Sequence, residues 1–296
     1  MKTPIFTGAN VAIVTPFKNG KVDFDTLKQL IEFQIKSGTN AITICGTTGE
    51  SATLSHEEHT AVIKCCVETV AGRVPVLAGT GSNDTAYALY LSKEAESLGV
   101  DGLLMVTPYY NKATQTGLIR HYTYVADNVN TPIILYSVPS RTGVSFTAAT
   151  YKELSKHPNI NGVKEASGNF SLIAETLSLC GDDLNMWCGN DDQTVPMMSL
   201  GAKGVISVAS NVIPEYMVKM CDLALKGDFK AAAEMQLKAY DLMDRLFIEV
   251  NPIPVKAALE MLGMCDGELR MPMCEISDAN RAVLKQAMID FGLAVK

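Results

Sequence analysis

The sequence predicts an α/β protein built as a parallel (β/α)8 TIM barrel with a C-terminal helical region. Three observations carry this. Short apolar runs alternate with longer amphipathic ones eight times along the chain. The short runs are rich in Val, Ile and Leu and do not alternate with polar residues, as parallel strands covered on both faces require. Beyond Ser207 the strand pattern stops and only helical periodicity continues. An open doubly wound sheet is the alternative, but no GxGxxG follows the first strand.

Strands are expected at residues 11–15, 41–45, 76–79, 102–106, 132–136, 161–164, 186–188 and 204–207. Helical patterns separate them. Residues 25–36 place Leu27, Leu30, Ile31 and Phe33 on one side and stop at Ser37-Gly38. The second helix opens with Ser55-His56-Glu57-Glu58, a capping-box pattern. Residues 84–98 end before Gly99, and further helices are expected at 116–128, 147–156, 171–180 and 192–200. The remaining helices are placed at 214–225, 228–250, 254–262 and 278–291. Asn251-Pro252-Ile253-Pro254 leads into the third of these, because proline is tolerated in a first helical turn. The chain thus divides into a barrel, 1–224, and a helical region, 225–296.

Composition narrows the function. With 296 residues, 47% of them hydrophobic and 19% charged, the chain has room for a substantial core. A net charge of -7 and the absence of a Lys/Arg stripe argue against a nucleic-acid partner. The eight cysteines form no CxxC pair, and Cys65 and Cys66 adjoin within a helical pattern, which suits reduced buried thiols rather than disulfides or a zinc site. There is no apolar leader and no run approaching the roughly 18 residues of a membrane span. A cytoplasmic enzyme, with no membrane partner and no metal or cofactor, is the expectation.

Barrel enzymes place their chemistry at the carboxyl ends of the strands. Strand six ends in Lys164, and a strand-terminal lysine in a buried segment is unusual. In an apolar cavity its pKa falls from about 10.4, because burial disfavours the charged form, and the neutral amine attacks a ketone to give a Schiff base. A lysine simply emerging at a loop is the plainer reading of that segment alone. Its neighbours favour chemistry. Strand two runs into Gly46-Thr47-Thr48-Gly49-Glu50, either an ordinary strand-to-helix turn or a cradle whose Thr47 and Thr48 hydroxyls hold a small carboxylate ahead of a helix. Strand five ends in Tyr136, next to strand six, where a phenol can move the protons that imine formation requires. Arg141, in the loop beyond, suits a bidentate grip on a carboxylate, or is a solvated loop residue. His56 and His59 are expected on a solvated helix face, and Asp191 and Asp192 as helix caps. No Ser-His-Asp order, P-loop or metal-ligand spacing is present.

These residues resemble a known family. Residues 41–50, Tyr136-Ser137-Val138-Pro139 and Gly162-Val163-Lys164-Glu165-Ala166 are similar to the signatures of the pyruvate-dependent class I aldolase barrels, which include N-acetylneuraminate lyases and dihydrodipicolinate synthases. The likeness extends from about Phe6 into the C-terminal helices. Paired Thr47-Thr48, Arg141 after Val138-Pro139-Ser140, and the 251–256 segment resemble the dihydrodipicolinate (4-hydroxy-tetrahydrodipicolinate) synthase branch; the lyase branch usually lacks that arginine.

The resemblance implies a synthase that condenses pyruvate with L-aspartate 4-semialdehyde in lysine and diaminopimelate synthesis, working as a homotetramer built as a dimer of dimers. It implies that Lys164 forms the imine and that Tyr136, Thr47 and Tyr110 relay protons, Tyr110 reaching in from a neighbouring subunit. Thr48, Gly189 and Ile206 would position pyruvate, and Arg141 would hold the second substrate's carboxylate. Aldolases acting on N-acetylneuraminate or 2-keto-3-deoxy sugar acids, and a non-catalytic binding barrel, are the alternatives. Ser137 stands where the family often has asparagine. Family members inhibited by lysine bind it at positions matching Ser51, Ala52, His56, His59, Asn83 and Tyr109. Tyr87 occupies the position that usually carries glutamate, so weak or absent lysine inhibition is expected.

Overall fold

The computed structural model describes residues 2–296. Eight parallel strands close a barrel in chain order: β1 (Gly8–Ala12), β2 (Ala41–Ile44), β3 (Val76–Gly79), β4 (Gly102–Val106), β5 (Ile133–Ser137), β6 (Ile160–Glu165), β7 (Asn185–Cys188) and β8 (Gly204–Ser207). Closure comes from β1, which pairs with β8 on one side and β2 on the other. Closing the sheet leaves no unpaired edge, so each strand can be short and apolar.

The helices start where polar side chains can satisfy free amide donors. Asp23 caps α1 (Phe24–Lys36), and Ser55 with Glu58 forms the expected capping box of α2 (His56–Val70). Asp84, Thr114, Thr147 and Asn169 cap α3 (Thr85–Ser97), α4 (Gln115–Ala126), α6 (Ala148–Ser155) and α7 (Phe170–Cys180). The one-turn α5 (Pro139–Thr142) lies between β5 and α6, and the short α8 (Thr194–Ser199) follows β7. α9 (Pro214–Leu225) packs on β1, α10 (Phe229–Arg245) packs on α9, and α11 (Ile253–Met261) and α12 (Asp278–Phe291) complete the chain. The division at 224/225 falls at the end of α9. One apolar core contains Met217 and Cys221 from α9 together with Ala232 and Ala239 from α10.

The barrel's interior has its own apolar filling, including Phe6, Leu77, Leu104, Ile134, Trp187 and Ile206. The Trp187 indole stacks on Phe6, with centroids 5.0 Å apart, and donates to the Phe6 carbonyl. Phe6 precedes β1, so this pair fills the amino end of the barrel. Gly162 makes room for it, since a Cβ there would lie 2.6 Å from the indole edge. Chemistry is left to the carboxyl end.

Several boundaries differ from expectation. β1 ends at Ala12 rather than at residue 15, although Ile13 and Val14 are fully buried. The amide of Val14 turns from the ladder to the Asn211 side chain. Apolar character therefore outlasts strand pairing. A small hairpin, Phe17–Lys18 with Lys21–Val22, was not expected. The helix placed at 228–250 stops at Arg245, which frees residues 246–252 to approach the barrel mouth. All eight cysteines are free; six are buried, Cys265 is partly buried and Cys274 exposed. Burial pushes the Cys45 and Cys66 thiols well above their ordinary pKa. Among the described residues no helix is long and apolar enough to cross a membrane.

Candidate active site

The β2–α2 connection builds one wall. Cys45 and Glu50 both adopt the left-handed backbone region, with φ of 54° and 52°. The turn between them rests on β3, where a Cβ on Gly79 would lie 2.0 Å from the Cys45 carbonyl oxygen, so only glycine fits. From the other side Thr15 Oγ1 donates to the Gly49 carbonyl at 2.7 Å. Thr47 and Thr48 are thereby held at the rim. Thr48 is 2% exposed, and its Oγ1 accepts a hydrogen bond from Asn251 Nδ2 at 3.0 Å.

A cavity of about 440 Å³ opens at this rim, lined by Thr47, Glu50, Tyr136, Val138, Arg141 and Asn251 among others. Tyr136 of β5 is in register with Lys164 of β6. Lys164 is only 5% exposed and is not in the wall itself; its Nζ lies 4.4 Å from the centroid of the Tyr136 ring, which is. Gly189, just beyond β7, leaves space beside it, because a Cβ there would come within 3.2 Å of Lys164 Cε and 2.7 Å of Ala166 Cβ. Ile206 belongs to the same interior apolar group as Tyr136. Strand alternation sends the next side chain, Glu165, the opposite way. There it accepts from the Tyr151 hydroxyl at 2.6 Å and the Ser167 amide at 2.7 Å. Burial raises its pKa, against the lowering effect of these hydrogen bonds. That anchor fixes the strand end carrying Lys164.

Arg141 projects from α5 at the mouth, and its Nη2 donates to the Asn251 carbonyl at 3.0 Å. Asn251 thus touches both Thr48 and Arg141, whereas sequence reading marks it as part of a proline-rich turn and of the 251–256 segment that resembles the synthase branch, without giving it a role at the site. The signal available was an asparagine placed directly before that turn.

Tyr110 lies outside this cavity within one chain. It is 90% exposed, with φ of 73°, although its neighbour Tyr109 lines the wall. The residues expected to hold an effector divide. Ser51, Ala52, His59, Tyr87 and Tyr109 line the same cavity, whereas His56 and Asn83 do not. His56 meets the Tyr90 hydroxyl at 3.0 Å, and the Asn83 carbonyl accepts from the Asn111 amide. His59 corrects the expectation of a solvated histidine pair. It is buried, its Nε2 donates to the Gly79 carbonyl at 2.9 Å, and burial lowers its pKa. Asp191 is also corrected. It does not cap α8 but is buried, with Oδ2 accepting from the amides of Val208 and Ala209 at the turn after β8.

A sequence profile described as "Dihydrodipicolinate synthetase family" matches residues 5–290. The chain belongs to the dihydrodipicolinate synthetase family. It is 50% identical over 294 residues to the 4-hydroxy-tetrahydrodipicolinate synthase of Caldicellulosiruptor saccharolyticus, covering 99% of each chain. The crystal structure of dihydrodipicolinate synthase from Aquifex aeolicus superimposes with a TM-score of 0.97 at 47% identity, covering 98% of this chain and 100% of that one. A Cyanidioschyzon merolae member, solved with lysine bound, gives 0.96 at 38% identity over 99% and 100% of the two chains. In this dihydrodipicolinate synthetase family member, a sheltered amine faces a phenol, with hydroxyls on one side and a guanidinium at the mouth. That arrangement suits imine chemistry on a substrate carrying a carboxylate.

Proposed function

We propose that this chain is a 4-hydroxy-tetrahydrodipicolinate synthase that condenses pyruvate with L-aspartate 4-semialdehyde, on the route to diaminopimelate and lysine. The observation that carries the reading is the buried Lys164 nitrogen at a strand end, 4.4 Å from the ring centroid of a cavity-lining tyrosine. In this reading the amine adds to C2 of pyruvate, and the carbinolamine loses water to form the imine. The Tyr136 phenol supplies and removes the protons, with Thr47 as the next hydroxyl in the relay. Loss of a methyl proton gives an enamine, whose carbon attacks the aldehyde of the second substrate. That substrate's amine then displaces Lys164 Nζ and closes the ring, returning the free lysine. The intermediate rides on Lys164, so the cycle calls for no metal or cofactor.

Thr48, Gly189 and Ile206 shape the pyruvate subsite, and Arg141 grips the carboxylate of the semialdehyde. The exposed Tyr110 completes the relay from a second copy of the chain. The active form is therefore at least a dimer, and a dimer of dimers is the assembly we propose. A cytoplasmic location accords with this biosynthetic role.

Borohydride reduction in the presence of pyruvate tests the reading. One adduct of pyruvate mass is expected, mapping to the peptide that contains Lys164, together with turnover when the semialdehyde is supplied. An adduct on another side chain, or turnover with no trappable adduct, overturns it.

Arg141→Ala is expected to cost about 2–4 kcal/mol in kcat/KM for the semialdehyde, as removal of a desolvated ionic contact does. Half-saturation for pyruvate trapping should stay close to that of the unaltered enzyme. An equal loss on pyruvate would move Arg141 to the other subsite.

The lysine response follows from Tyr87. A phenol offers no charge to pair with an ammonium. Submillimolar lysine is expected to leave the initial rate unchanged, and half-inhibition in that range would refute the expectation.

A further inference from the structure

We infer that Asn251 is a positioning residue that sets the polarity of the pyruvate subsite, an inference resting on the function proposed above. It lies 203 residues beyond Thr48 in sequence, at the head of α11, yet it is 5% exposed and lines the cavity. Its Nδ2 donates to Thr48 Oγ1 at 3.0 Å. A hydroxyl that accepts there keeps its own proton to donate elsewhere. Thr48 is buried directly behind Thr47 of the cavity wall, and the bond from Asn251 leaves its own proton free to be donated, which is the polarity that a substrate carboxylate needs. Asn251 Oδ1 is buried and has no hydrogen-bond partner among the described residues. An unmet buried carbonyl costs stability, so the amide is placed for the site rather than for the fold.

The same residue serves the second subsite through a different atom. Its main-chain carbonyl accepts from Arg141 Nη2 at 3.0 Å. This gives the two functions different sensitivities. Side-chain substitutions change what Thr48 meets, while the carbonyl holding Arg141 survives in every variant.

Asn251→Asp and Asn251→Ala, read by pyruvate half-saturation in borohydride trapping and by KM for the semialdehyde, test this. The aspartate variant places an acceptor and a negative charge against Thr48. It should raise pyruvate half-saturation roughly 10- to 100-fold, the scale of a charge-assisted hydrogen bond reversed. Alanine only frees the hydroxyl to rotate and should raise it several-fold. Both should leave KM for the semialdehyde within about threefold, because the Arg141 contact remains. In a Thr48→Val background, Asn251→Ala should have no further effect on pyruvate. Alanine as damaging as aspartate, the two substrates' constants rising together, or additive effects in the double variant would each overturn the inference. A chain that is not trapped by pyruvate before any substitution would instead remove the proposed function.

Discussion

Lys164→Ala is expected to eliminate the trapped pyruvate adduct and to lower turnover by a factor on the order of 10⁴ or more, the scale on which deleting a covalent nucleophile acts. The fold should survive, because the side chain makes no hydrogen bond or ion pair that the barrel needs, and the strand end is held by Glu165 through Tyr151 and Ser167. Lys164→Arg provides the control for charge, since it keeps a cation beside Tyr136 and cannot form an imine. Tyr136→Phe separates the two roles of the tyrosine. It preserves the ring near Lys164 Nζ and deletes the phenol, so pyruvate should still be trapped, but slowly, with turnover lowered roughly 10²- to 10⁴-fold. Intact-protein mass spectrometry after reduction, set beside steady-state rates, reads all three variants. Residual adduct on the alanine variant would mean that another amine carries the chemistry.

The part of this site that sequence made legible is the part written into single strands. A lysine ending a buried strand is anomalous in itself, and the barrel's strand order places Tyr136 next to it, as the register between β5 and β6 bears out. Capping chemistry is equally local, which is why the Ser55–Glu58 box stood where expected. What escaped was long-range or depended on geometry. Asn251 meets Thr48 across 203 residues, and no periodicity reports such a contact. The end of β1 was misplaced because Ile13 and Val14 stay buried after the ladder has turned to the Asn211 side chain, and hydrophobicity tracks burial rather than pairing. His59 read as solvated because it shares a helical turn with His56, Glu57 and Glu58, yet the chain of β3 passes close enough for the Gly79 carbonyl to receive its ring N–H. Asp191 looked like the cap of its own helix and instead serves the amides of the next rim turn.

Lys256→Met is expected to destabilise the protein by about 3–5 kcal/mol, the cost of stranding a buried charge. The lysine side chain is fully buried and meets Glu50 Oε1 at 2.5 Å, where the carboxylate is 2% exposed. Its Nζ also donates to the Glu268 carbonyl at 2.7 Å and lies 4.1 Å from the centroid of the Phe17 ring. Burial lowers the Lys256 pKa, and the Glu50 charge works against that. Glu50 in turn accepts from the Arg270 amide at 3.1 Å and closes the turn that carries Thr47 and Thr48. The pair therefore ties the C-terminal region to the turn after β2 that carries Thr47 and Thr48. Removing the lysine alone leaves the buried Glu50 carboxyl without its ion-pair partner, whereas Glu50→Gln with Lys256→Met removes both members of the pair and keeps an acceptor for Arg270. The double variant should recover at least half of the loss in urea or thermal unfolding, a coupling that a double-mutant cycle isolates. The single variant should also raise half-saturation for pyruvate, because the turn holding Thr48 loses its anchor. If the double variant proves as unstable as Lys256→Met, the loss comes from the lysine's packing against Phe17 and its bond to Glu268, and the ion pair is not what secures the turn.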